Sequence, residues 1–125
     1  MNNRIDNAYT STHKIGRRDI CYVDLGDGVG SEQAFSRPCL CIQNDTGNRY
    51  SPTTIIVPIT SAVKKRMPTH VDLLPDRCGL RYESTVMCEQ IRVIDKSRLG
   101  RYIGSVAEDT MREVDRALAV SIGLS

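Results

Sequence analysis

The stretch GSEQAFSRP, residues 30–38, sets Glu32 and Arg37 five positions apart, just ahead of an apolar run. A guanidinium beside Pro38, at the base of a strand, is held more firmly than one on a loop tip. A held guanidinium suits an anion, because its planar donors can grip a phosphate or carboxylate oxygen pair. Alone, Arg37 reads more simply as a strand-edge arginine in solvent or as a partner for Glu32. A second polar cluster changes the weighing. Pro58-Ile59-Thr60-Ser61 ends an apolar stretch with two hydroxyls, and Val63-Lys64-Lys65-Arg66-Met67 follows as a basic loop. In a rolled sheet whose neighbouring strands include both elements, Arg37 and Thr60 can converge. The basic run by itself assigns nothing, since most charge runs are solvated faces.

Other constellations are weaker. GDGVGSE, residues 26–32, has a G-x-G-x-G spacing with no following Lys-Ser/Thr and no helix after it, so it is not a phosphate loop. An EF-hand fails because Val29 falls where the turn needs glycine. The segment reads as a flexible hairpin loop with Ser31, Glu32 and Gln33 at its tip. His13 and His70, the only two histidines, have no neighbouring Cys or Ser that would mark a nucleophile and its base. His70 begins a strand, where a structural role is the expectation. Glu89-Gln90-Ile91-Arg92 closes a strand with three polar groups, and spacing alone leaves a cap and a solvent contact equally open.

The elements that must carry these residues are short. Strand-like runs at residues 20–25, 38–43, 53–59, 70–74, 84–88 and, weakly, 102–103 are bounded by Gly, Pro, Asn or Asp. That pattern predicts a mainly β fold, a small barrel or rolled sheet. Pro58 cannot donate to a ladder, so its strand is expected at an edge or bulged there. Ser105-Val-Ala-Glu108 fits a capping box, and Met111, Val114, Leu118, Ser121 and Ile122 follow at near-helical spacing. The expected helix packs on the barrel through that face. Residues 1–14 mix polar residues without periodicity and read as a mobile tail, leaving one domain over residues 15–125.

Bulk properties agree with a globular protein of 125 residues, 40% hydrophobic and 26% charged. No apolar run approaches the roughly 18 residues of a membrane helix, and the polar N-terminus is unlike a secretory signal, so a cytoplasmic location is expected. A net charge of +2 is too small to argue for nucleic acid from the total. Five cysteines, without a C-x-x-C pair, argue against a disulfide framework. A zinc site would need a second ligand pair near Cys39-x-Cys41; buried free thiols are the expectation.

In order from about residue 16 to 124, the segments DICYVDLGDGVGSEQ, SRPCLCIQNDTGNRYSPTTIIVPITS, MPTHVDL, CEQIRVIDKSRLG and VDRALAVSIGL resemble MazF/PemK-type toxins. These are the ribosome-independent mRNA endoribonucleases of bacterial toxin–antitoxin pairs, and the likeness is greatest to the Gram-positive branch. The resemblance implies an SH3-like barrel with a C-terminal helix, a homodimer, and a groove that binds single-stranded RNA and is blocked by a MazE-like antitoxin. It implies no cofactor and no metal. Carried over, the catalytic arginine is Arg37 and the catalytic hydroxyl is Thr60, with Glu32 implicated in some members. Ser31, Gln33, Ser61, Lys64, Lys65, Met67, Glu89 and Gln90 become candidates for holding RNA. The implied reaction is attack of a ribose 2′-OH on the adjacent phosphorus, leaving a 2′,3′-cyclic phosphate and a 5′-OH. A cleavage motif such as UACAU is implied by the branch.

Three departures from the family pattern stand out. Arg18 replaces a glycine before the first strand, Ala34-Phe35 replaces a smaller, often Gly-Gly, pair, and Cys39, Cys41 and Cys88 replace aliphatic residues. Two other functions stay open on the residues: a toxin of the same fold that binds DNA gyrase, and an RNA-binding barrel without catalysis. Arg37 with Thr60 favours the ribonuclease, since a gyrase binder needs no such pair.

Overall fold

The computed structural model describes residues 14–62 and 65–125, so most of the expected N-terminal tail and Lys64 lie outside the described residues. Among the described residues, seven strands form one antiparallel sheet: β1 (Asp19–Asp24), β2 (Ser36–Cys41), β3 (Thr53–Thr60), β4 (His70–Leu73), β5 (Ser84–Met87), β6 (Arg92–Asp95) and β7 (Leu99–Ser105). The described residues also form two α-helices, α1 (Asp45–Tyr50) and α2 (Glu108–Ser121), and two short 3-10 turns, Pro75–Arg77 and Lys96–Arg98. The strand order is β4-β5-β3-β2-β1-β7, with β6 also paired to β3. The sheet rolls without closing.

Both faces of the central strands are buried, which explains their unbroken apolar runs. Ile20, Leu40 and Val57 turn to a core covered by α2, which contributes Met111, Val114 and Ala117. Cys21, Cys39, Cys41 and Ile56 turn the other way and pack with Ile94 and Leu99 inside the roll. All five cysteines are buried free thiols. Burial pushes Cys39 and Cys88 up to about 12, so both are neutral at ordinary pH.

Several expectations need correction. Pro58 is neither exposed nor on an edge strand. It is buried in the middle of β3, opposite Cys39 of β2. On the other side, β6 pairs with β3 as far as Ile56 and β5 begins at Ile59, so Pro58 lies in the gap where β3 passes from one partner to the next. The capping box is absent: Ser105 ends β7, donating its hydroxyl to Asp19 Oδ1 at 2.8 Å, and Ala107 is the N-cap of α2, without a side-chain cap. Glu108 and Asp109 in the first turn still suit the positive end of the helix dipole. Ile122 is exposed rather than on the packed face, and Ala117 takes part in its stead. The weak strand at 102–103 is the seven-residue β7.

Two elements were not anticipated. α1 arises from a segment rich in turn residues: Asn44 caps it by accepting the Gly47 N–H at 2.7 Å, and buried Asn48 accepts from Thr54 Oγ1 at 2.7 Å. β6 contains only four residues. Glu89 and Gln90, expected to close a strand, form a turn between β5 and β6.

Two of the departures from the family pattern share a backbone signature. Arg18 has φ 85° and Phe35 has φ 62°, the left-handed region where a Cβ is strained. Arg18 is pinned there from both sides: its N–H donates to the Cys41 carbonyl and its carbonyl accepts from Val106 N–H, each at 3.0 Å. At Phe35 the N–H donates to the Gly26 carbonyl at 2.7 Å, closing the β1–β2 hairpin. A different close approach joins the loop after Pro75–Arg77 to β7. A Cβ on Gly104 would collide with the Cys78 carbonyl, and one on Gly79, at φ 87°, would lie 2.6 Å from the Ile103 carbonyl oxygen.

Candidate active site

β2 carries Arg37 and β3 ends with Thr60, and the two open onto one cleft of about 700 Å³. Arg37 is half-buried and oriented by the hairpin before it. Its Nε donates to the Ala34 carbonyl at 3.0 Å and its Nη1 donates to Gln33 Oε1. Those contacts leave the rest of the guanidinium for a ligand. Thr60 pairs with Thr85 of β5, and its hydroxyl accepts the Ala62 N–H at 3.1 Å, turning the chain at Ser61. The hydroxyl proton remains free to be donated. Ser61 also lines the cleft.

The other candidates are divided between two loops tied to the β5–β6 turn. Gln90 joins that turn to the hairpin loop: its Oε1 accepts from Gln33 N–H at 2.9 Å and its Nε2 donates to the Ser31 carbonyl at 3.3 Å. Glu89 joins it to the loop before β4, accepting from Thr69 Oγ1 at 3.0 Å and facing His70 Nε2 at 3.2 Å. His70 Nδ1 accepts the Met67 N–H at 3.2 Å, so the ring hydrogen sits on Nε2 and is donated to Glu89. His70 is thus a bracket, with its side chain only 3% exposed. Lys65 and Met67 project to solvent from the loop it holds, and Arg66 pairs with Asp72 at 2.8 Å. Glu32 does not line the cleft; its Oε1 accepts the Val29 N–H at 2.8 Å within its own loop.

The opposite wall of the cleft escaped sequence reasoning. Tyr22, Arg81, Tyr82, Arg101 and Tyr102 line it, giving with Arg37 three arginines and three tyrosines. Among the described residues the lining contains no carboxylate. Such a wall attracts anions and offers flat faces for stacking. No motif links these residues. Arg101 and Tyr102 belong to the strand whose pattern was weakest, and Tyr22 alternates unobtrusively among apolar neighbours. Cys39, two residues beyond Arg37 in β2, is held protonated by burial although Arg37 and Arg92 pull its pKa down, so it offers no thiolate.

Residues 16–122 match the family model of the PemK-like, MazF-like toxin of type II toxin–antitoxin systems. The chain is 45% identical over 111 residues to Endoribonuclease EndoA of Bacillus subtilis (strain 168), covering 88% of this chain and 96% of the relative. A solved endoribonuclease in complex with its cognate antitoxin, from a mycobacterial species, is 28% identical with a TM-score of 0.74, over 89% of this chain and 97% of the other. MazF of Deinococcus radiodurans, at 23% identity, shares the fold with a TM-score of 0.74, over 87% and 96%. Matched to the family model over most of its length and 45% identical to a curated relative that it spans almost entirely, the chain belongs to the PemK-like, MazF-like toxins of type II toxin–antitoxin systems.

Proposed function

We propose that this protein is the endoribonuclease of a toxin–antitoxin pair and cuts single-stranded mRNA through the 2′-OH. The observation that carries the reading is the meeting of Arg37 and Thr60 in one cleft whose described lining has no carboxylate. A ribose 2′-OH attacks the adjacent phosphorus in line, the P–O5′ bond breaks, and the products carry a 2′,3′-cyclic phosphate and a 5′-OH. Only RNA brings that nucleophile. Negative charge grows on the phosphoryl oxygens during attack. Arg37, oriented by Ala34 and Gln33, meets that charge, and the Thr60 hydroxyl donates to the same phosphate. A guanidinium is too weak an acid to surrender its proton readily, so Arg37 acts as a charge stabiliser.

Lys64, Lys65 and Met67 on one loop and Ser31 and Gln33 on the other flank the cleft as RNA contacts, with Ser61 at its mouth. Glu32, Glu89 and Gln90 shape those loops. The active unit in this reading is a homodimer of one toxin domain, residues 15–125, working in the cytoplasm. An acidic, partly apolar antitoxin segment occupies the groove. Among the described residues no helix is long and apolar enough to cross a membrane.

The test is incubation with a long RNA in EDTA, followed by mapping of cut sites and end chemistry, with Arg37→Ala in parallel. Recurrent cuts with cyclic-phosphate ends, lost in a variant of unchanged fold, are expected. Loss of one such donor typically lowers the rate by about 100-fold to 1000-fold. Retained cleavage in Arg37→Ala removes the assignment.

A further inference from the structure

The β1–β7 pairing contains a device that the ribonuclease reading does not use. Cys21 pairs with Tyr102 and Val23 pairs with Leu99, so Tyr22 alone stands opposite both Gly100 and Arg101. That two-against-one arrangement is a β-bulge, which re-aims a side chain and sharpens the twist. Here it swings Arg101 across the strand, with its guanidinium carbon 5.2 Å from the centre of the Tyr22 ring. Gly100 makes the crossing possible, since its α-carbon passes close to the Tyr22 carbonyl and a Cβ there would stand 3.2 Å from that oxygen.

Arg101 is exposed, and among the described residues it has no hydrogen-bond or ion-pair partner. An arginine used for stability would be expected to find one of the chain's carboxylates. This one stands over the Tyr22 ring, within cation–π range, in the wall of the cleft that also holds Arg37 and Thr60. Held over Tyr22 and exposed to the cleft, the guanidinium keeps its N–H groups available to a ligand there. That is the arrangement that receives a nucleobase: one plane to stack on, and donors fixed beside it for the acceptors at the base edge.

We propose that Arg101, stacked on Tyr22, is a specificity-determining residue that takes a base of the RNA next to the scissile phosphate. The inference rests on the ribonuclease reading and deepens it. Arg37 and Thr60 act on the phosphate common to every nucleotide, whereas the Arg101–Tyr22 stack reads one neighbouring base.

The test maps cut sites on a long mRNA transcript, at several NaCl concentrations, for the wild type, Arg101→Lys, Arg101→Gln, Tyr22→Phe and Tyr22→Leu. Loss of one base stack typically costs about 5-fold to 150-fold. Arg101→Gln is expected to reduce cutting at the preferred motif by that factor and to relax base choice at one position. Arg101→Lys is expected to relax the same position although it keeps the charge, and so is Tyr22→Leu, while Tyr22→Phe keeps the wild-type motif. An unchanged motif in Arg101→Gln overturns the proposal. So does an equal loss at all sites that lysine restores, with a salt slope lowered by about 0.7, the signature of a phosphate contact without base reading. Absence of any cutting by the folded wild type is a separate result that overturns the ribonuclease reading itself.

Discussion

Replacing Phe35 by glycine should stabilise the protein, although the change deletes its only phenylalanine. Phe35 sits at φ 62° and is 66% exposed. A left-handed conformation costs a residue bearing a Cβ about 1–2 kcal/mol. Glycine removes that strain but adds freedom to the unfolded chain, worth about 0.5–1 kcal/mol in the opposite sense. The difference predicts a net gain of about 0.5–1 kcal/mol, or about 2–4 °C in Tm for a chain of this size. Phe35→Ala is the control, because it keeps the strain and removes the ring; it should fall within about 0.5 kcal/mol of the wild type. Urea unfolding of the three proteins at one protein concentration, with unchanged m values, gives the comparison. If the glycine variant is no more stable than the alanine variant, the strain is not stored at Phe35 and the reasoning fails.

Gly104→Ala should destabilise the fold by more than about 3 kcal/mol, because the new methyl meets the Cys78 carbonyl and neither backbone can move cheaply; thermal melting checks this. Gln90→Ala should free the hairpin loop, raising the amide exchange of Gln33 about 5-fold, a scale set by the roughly 1 kcal/mol of one lost hydrogen bond. Unchanged exchange would mean the loop is held elsewhere. The buried thiols set an alkaline limit. Cys39 and Cys88 titrate at about 12 when folded and about 9 when unfolded, so the unfolded chain loses their protons first. Their contribution is intact below pH 9 and declines above it by at most about 1.4 kcal/mol per pH unit for each thiol. Denaturant titrations at pH 8 and pH 10 should differ accordingly, and Cys39→Val should flatten the slope.

The parts of the site written as chemistry were legible in the chain. Arg37 beside Pro38 and the hydroxyl pair after Ile59 were visible because each combines a reactive type with a strand end, and the sheet brings them together. The Arg101–Tyr22 stack was not visible, because it depends on a register shift between strands far apart in sequence. Pro58 misled for a related reason: its missing donor is tolerated in a central strand only because two partner strands meet the same flank at different heights. β6 is too short to show an alternation, and α1 was concealed by Asn and Gly that serve here as cap and turn residues. Ser105 has the right spacing for a cap, but Asp19 claims its hydroxyl.

The close approach of Gly79 to β7 has a further consequence for how this toxin can change its targets. Two segments touch there backbone to backbone, and Arg81 and Arg101 hang from either side of the joint. The floor of the cleft is therefore independent of the side chains on its rim. Residues on the rim can be exchanged one at a time without the scaffold beneath them shifting, so, on the ribonuclease reading proposed above, new RNA preferences arise by drift at a few rim positions while Arg37 and Thr60 keep their places.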